Sequence, residues 1–281
     1  MLAIALGLGS SLFWGLADFG GGLQSRRFSV IAVLFVSQAV GLAGIAVIVA
    51  LSGEPAPALA DLWPAAAGGA GGLLALSAFY RALAIGTMSI VAPISATGSA
   101  VPVIVGLATG ERPGAIQLLG IFAAGVGVVL ASREAPHDDA ERARAGRASI
   151  ALALVAALGF GAFFVGMDRA ANADILWALL AARIAGNLGL LAFILVVRPR
   201  LDVPPVALPA LAAVGVLDLA ANALYAWGTT EGLLSVVAVL GSLYPVATVL
   251  LARGVLGERI RRVQEVGVVT ALAGVVLIAA G

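Results

Sequence analysis

Cysteine and lysine are both absent from this chain of 281 residues, histidine occurs once, and charged side chains make up only 11% of it. Without cysteine there is no disulfide, no thiolate nucleophile and no thiolate ligand for a metal. With His137 as the sole imidazole, neither an HExxH zinc site nor a Ser–His couple inside an apolar segment can be built. No carboxylate cluster shows metal-ligand spacing either, so no cofactor and no metal are expected, and an enzyme is disfavoured. The 16 basic residues are all arginine, which reads as codon bias without functional weight, and a net charge of +1 gives nucleic acid no purchase.

What is abundant is apolar surface. Hydrophobic residues make up 62% of the chain, against about 45–50% in soluble domains, where about 25% of residues are charged. A bilayer core of about 30 Å takes about 20 apolar residues per helix. Helices are the expected element because lipid offers the backbone no hydrogen-bond partner. Apolar runs between punctuation predict ten spans, at 2–20, 30–51, 63–85, 89–109, 115–132, 148–167, 174–197, 208–229, 234–255 and 264–280. The breaks have local causes, such as Arg26-Arg27, Pro55 with Pro57, and Pro199 with Pro204-Pro205. The opening MLAIALGLGSSLFWGLADF lacks a basic leader and a cleavage signature, so it reads as the first helix rather than a signal peptide.

A segment occurs twice. Gly110-Glu111-Arg112, Gln117, Gly120, Ala124 and Gly127 recur as Gly257-Glu258-Arg259, Gln264, Gly267, Ala271 and Gly274, each displaced by 147 (257 less 110). Gly9, Phe13 and Asp18 have an echo in Gly159, Phe163 and Asp168, displaced by 150 (159 less 9). The one long polar stretch, Arg133 to Arg147, lies between the copies and reads as a solvated connector. The expected organisation is a first repeat over 1–132, a connector over 133–147 and a second repeat over 148–281. Five spans is an odd number, so the second repeat crosses the membrane in the opposite sense, the inverted arrangement of secondary transporters. Twelve arginines fall in one set of loops, among them Arg26, Arg27, Arg198 and Arg200, against Arg112 and Arg169 in the other. By the positive-inside rule the connector is cytoplasmic and both termini are outside.

The pattern GE-x5-Q-x2-G-x6-G after the fourth and ninth spans, and the opening SSLFWGLADF, resemble the EamA domain of the drug/metabolite transporter superfamily. The likeness covers essentially the whole chain. It implies a ten-helix carrier for small metabolites in a bacterial-type inner membrane, often an exporter. It also implies that the first four helices of each half surround a central cavity while the fifth packs behind. One departure stands out: Pro245 precedes Glu258 by thirteen residues, as in the family, but the matching place in the first half is Gly98, flanked by Pro93 and Pro102, which implies a fourth helix that bends differently.

Ionisable groups inside lipid cost about 2.5–3.5 kcal/mol at a helix centre, so those that remain face a cavity or a partner. Arg183 and Asp218 lie near the middle of adjacent antiparallel spans and can meet at one depth. Asp18 and Arg81 lie near the same end of theirs and offer a second pair. Each pair has two readings. It either neutralises two charges and fixes helix register, or it holds the charged ends of a zwitterion, with arginine taking the carboxylate through its fork and aspartate taking an amine or a proton. Asn222 and Tyr225 follow Asp218 on one face, and Asn187 lies one turn from Arg183. Trp14 with Ser10 and Ser11 on the first span, Tyr80 as the counterpart of Tyr225, and Ser95, Ser99, Ser242 and Tyr244 on the fourth and ninth complete the candidate substrate and coupling set. Gly120 with Ala124, and Gly267 with Ala271, form small-xxx-small patterns that suit close packing of the fifth and tenth spans. Glu111 and Glu258 read as loop-fixing residues.

The expected function is therefore a secondary transporter of amino-acid-like or drug-like metabolites, working by alternating access with proton-coupled export. Its expected partners are a small-molecule substrate, membrane lipid and protons, and it is expected to be a monomer or homodimer. A flippase for lipids or lipid-linked sugars is the alternative, which needs a lateral opening; a channel or structural membrane subunit is a further one.

Overall fold

The computed structural model describes residues 1–131, 140–256 and 262–280. All regular structure among them is helical: α1 Leu2–Ser25, α2 Val30–Ser52, α3 Leu59–Ile85, α4 Met88–Ala96, α5 Ala100–Ala108, α6 Ala115–Ala131, α7 Ala140–Ala171, α8 Ile175–Val197, α9 Leu208–Glu231, α10 Leu234–Gly241, α11 Tyr244–Leu256 and α12 Arg262–Ala280. Among the described residues eight segments are long and apolar enough to cross a membrane, Ile90–Ala108 and Leu234–Val255 each joining two α-helices, and Ala115–Gly127 is a shorter apolar helix. The protein is an all-α, multi-span membrane protein.

Helix ends follow local chemistry. Ser29 Oγ accepts from Ala32 N at 3.2 Å and opens α2, and Asp174 Oδ1 accepts from Trp177 N at 2.8 Å and opens α8; each satisfies a first-turn amide that the helix itself leaves unpaired. Gly53 closes α2 in the left-handed region. Several helices are longer than the apolar runs implied. In particular, α7 starts at Ala140, so the second half of the charged connector is helical. The reason is that polar residues such as Glu141, Arg142 and Arg144 are good helix formers outside the membrane as well.

The fourth and ninth spans, expected as single helices, are each interrupted. The first breaks at a 3-10 turn over Thr97–Ser99; the second breaks at Ser242 and Leu243. Proline has no N–H to donate and is tolerated in a first turn, which is where Pro102 sits in α5 and Pro245 in α11. Pro93 lies inside α4 and costs that helix a further bond. The two breaks do not fall at equivalent places, in line with the Gly98 departure.

The bundle core is made by contacts between distant parts of the chain. α3 packs along α7 and α8, α1 along α9, and α6 along α12. A Cβ at Gly69 of α3 would lie 2.2 Å from the Ala182 carbonyl oxygen of α8, so only glycine permits that crossing. The α6–α12 contact is as close: a Cβ on Gly120 would meet the Gly274 carbonyl oxygen at 2.7 Å, and one on Gly274 would meet Ala124 N at 2.5 Å. Gly120 and Ala124 thus lie where α6 crosses α12, and both meet Gly274 there. Gly267 is buried; the side chain of Ala271, and Gly257, Glu258 and Arg259, lie outside what is described, as does His137.

Hydrogen bonds tie the connections together at two opposite ends. Ser29 Oγ donates to Arg200 O at 3.1 Å and Arg26 Nε to Leu83 O at 3.4 Å at one end. Trp177 Nε1 donates to Glu54 O at 3.2 Å at the other. At that second end Glu111 accepts from Leu234 N at 2.6 Å and Ser235 N at 3.1 Å, capping α10. The loop-fixing role read for Glu111 is what this contact performs.

Candidate functional site

Midway along the bundle, α1, α2, α3, α7, α8, α9 and α11 enclose a cavity of about 80 Å³. One buried water needs about 10–15 Å³ of such space, so there is room for several waters or a compact solute. The cavity exists because α3 meets α7 and α8 through glycine: Gly69 and Gly72 line it and leave its floor without side chains.

Its polar centre is a three-residue network. Arg183 of α8 donates from Nη2 to Asp218 Oδ2 of α9 at 2.6 Å and from Nη1 to Gln38 Oε1 of α2. Gln38 Nε2 reaches Asp218 Oδ2 at 3.5 Å. Arg183 and Asp218 are each 7% exposed. Burying two charges is tolerable only when they pair and their remaining donors and acceptors are met, and here three helices contribute to that. Asn187 carries the network outward, donating to Arg183 O at 2.9 Å and Gln38 O at 3.5 Å. Gln38 went unnamed in the sequence reading. The signal was available, since with Ser37 it interrupts the otherwise apolar stretch of α2.

Aromatic rings form the rest of the wall. Trp14 of α1 lies 5.4 Å from Phe164 and 5.6 Å from Tyr225, and Phe164 stacks on Tyr225 at 4.8 Å. Tyr244 shares a hydrogen bond with Ser95 and meets Phe79 edge-on at 6.1 Å. Of the candidates named from the sequence, Trp14, Asp18, Arg183, Asp218, Asn222 and Tyr244 line the cavity. The Asn222 amide is committed to its own helix, donating to Asp218 O at 2.6 Å.

Other candidates lie elsewhere. Tyr80 is fully buried against Gly21, where a Cβ would come within 2.3 Å of its hydroxyl. Tyr225 backs the aromatic wall from behind and donates to Phe164 O at 3.4 Å. Ser242 donates to Val239 O at 2.8 Å and faces a separate apolar recess. The anticipated Asp18–Arg81 pair does not form: Asp18 is 6% exposed and faces the cavity, whereas Arg81 is exposed on the outside of α3. The two share an end of the bundle but lie on different sides of their helices, which depth along the sequence does not reveal.

The comparisons with known proteins agree with this architecture. No curated protein matches the chain significantly. A solved crystal structure of a protein superposes with a TM-score of 0.69 at 18% identity, covering 98% of this chain and 95% of its own; that likeness concerns the fold alone. Residues 1–133 and 147–280 both match the EamA-like transporter family. The chain belongs to that family, within the drug/metabolite transporter superfamily, and is a multi-pass membrane transporter of small molecules rather than an enzyme.

Proposed function

We propose that the protein is a ten-span secondary carrier, built of two inverted five-helix repeats, which moves a small organic metabolite through the cavity around Arg183 and Asp218 by alternating access. The observation that carries this is the buried Arg183–Gln38–Asp218 network, drawn from both halves of the chain and exposed to a cavity. Helix packing supports the inverted arrangement, since it survives exchange of the halves. α1 lies on α9 as α7 lies on α3; α2 lies on α9 as α8 lies on α3; α6 and α12 lie on each other. The connections alternate between two ends, and the arginine-rich end carries Arg26, Arg27, Arg198 and Arg200. That end, with the 133–147 connector, is assigned to the cytoplasm of a bacterial-type inner membrane, and the termini to the outside. Export coupled to protons is the direction we favour, with the cavity-lining Asp18 as the group that can carry a proton.

Counterflow in vesicles reconstituted with purified protein tests the reading. Uptake of labelled solute driven by unlabelled solute inside is expected for the wild type and is lost in Asp218→Asn. Flux without counterflow, saturation or dependence on Asp218 points to a channel and refutes it. A lipid flippase requires a lateral path from the polar cavity to the acyl chains. The large apolar recess, about 520 Å³ between α5, α6 and α10, shares no lining residue with that cavity, so the smaller solute is the better fit.

A further inference from the structure

We propose that the cavity takes an organic cation with an aromatic or bulky apolar body, and that Asp18 supplies its counter-charge. This deepens the transport reading and rests on the cavity being the transport site. Three charged side chains line the cavity: Asp18, Arg183 and Asp218. Arg183 and Asp218 cancel each other at 2.6 Å, and Gln38 takes a further donor of the guanidinium. That leaves one carboxylate without a partner.

Asp18 is 94% buried (100 less the 6% that is exposed) on α1, and among the described residues no side chain or amide donates to it. Arg81, the one arginine within reach along the sequence pattern, faces outward. A buried carboxylate with no donor is costly, so its charge is met from solution, by a proton or by a bound cation. Two neutral side chains of the lining have hydrogen bonds elsewhere. Tyr244 bonds Ser95, and Asn222 bonds its own backbone. With Asp18 ionised the cavity therefore holds one surplus negative charge, and it offers an anion neither a surplus positive charge nor an unengaged tyrosine hydroxyl.

The walls choose the kind of cation. Trp14, Phe160, Phe163 and Phe164 present ring surface to the same space. Ring faces attract ammonium groups, more strongly when water is excluded. A metal ion is poorly served, because no group of three or more His, Cys, Asp or Glu side chains that could hold one exists among the described residues. A zwitterion would need Arg183 to release Asp218 or Gln38 before taking a carboxylate.

The test is calorimetric binding of four small probes of one shape to the full-length protein in lipid nanodiscs: benzyltrimethylammonium, benzyl alcohol, phenylacetate and phenylalanine. The cation is expected to bind tightest, and Asp18→Asn to weaken it by about tenfold or more without changing the affinity for benzyl alcohol. Asp18→Glu keeps the charge and is expected to retain cation binding. Should Asp18→Asn fail to fold, the wild-type ranking still decides. Phenylacetate or phenylalanine binding tighter than the cation overturns the proposal, as does an unchanged cation affinity in folded Asp18→Asn. Counterflow separates the two layers. Cation binding with no counterflow of any probe defeats the transport reading and leaves the site's charge preference standing. Counterflow of phenylalanine dependent on Arg183, with no response to the cation, defeats the substrate class alone.

Discussion

Removing Asp218 leaves the Arg183 guanidinium buried with Gln38 as its one remaining side-chain partner. The side chains of the pair are 7% and 10% exposed and 2.6 Å apart, so neither ion can recover its hydration by a rotamer change. Charges about 4 Å apart at an effective dielectric of about 20 attract by about 4 kcal/mol, and deleting one partner of a buried pair costs about 3–5 kcal/mol. Asp218→Leu and Arg183→Met should therefore each destabilise the protein by about 3 kcal/mol, nearer the low end because Gln38 remains. The double variant should recover most of that loss, since apolar groups of similar volume often replace a buried pair at little cost. Equilibrium unfolding of the four proteins in mixed micelles, read as a double-mutant cycle, gives the coupling directly. Single losses below about 1 kcal/mol, the range of solvated pairs, or a coupling near zero would refute the reasoning. Counterflow with the stable double variant then separates the two roles of the pair: retained transport means that it only fixes helix register, whereas lost transport places it in the carrier mechanism.

Three further outcomes follow from single contacts. Glu111→Ala removes both acceptors from the first turn of α10 and is expected to lower stability by about 1–2 kcal/mol, seen as a lower unfolding midpoint. Gly120→Leu forces a side chain into the α12 backbone at Gly274 and should cost about 1–3 kcal/mol or separate the helices, whereas Gly125→Ala, with open space at its Cβ, should unfold like the wild type. Arg81→Gln, at an exposed position, is expected to leave counterflow unchanged while Asp18→Asn does not; equal losses from both would restore the Asp18–Arg81 pair that depth along the chain suggests.

Much of the site could be found before any coordinates. Arg183 and Asp218 were legible because a charge in the middle of an apolar run demands an explanation, and antiparallel neighbours of equal depth offer one. Trp14, Asn222 and Tyr244 were legible as polar or amphipathic residues on the same spans. Gln38 was overlooked because an uncharged amide raises less alarm than an ion, although its need for partners is similar. Tyr80 and Tyr225 do not line the cavity, and depth along the chain cannot tell this, because a buried tyrosine can serve a cavity or simply fill a core. Only packing separates the two, and here Gly21 and Phe164 take their rings.

By itself the sequence determined the solvent, the helical class and the twofold repetition, because each follows from composition or periodicity along one dimension, and its repeated motifs carried the resemblance to the family. A differently bending fourth helix near Gly98 was foreshadowed and the break of the ninth before Pro245 was not; the places of both depend on which turn each proline can join. The tertiary structure alone decided which faces meet. It brought Gln38 to Arg183, set Gly274 against Gly120, and turned Asp18 inward and Arg81 outward. The physical reason is rotational. Residue counting gives depth along a helix, while the angle about its axis is set by the close glycine contacts and buried pairs that fix how helices far apart in the chain pack together.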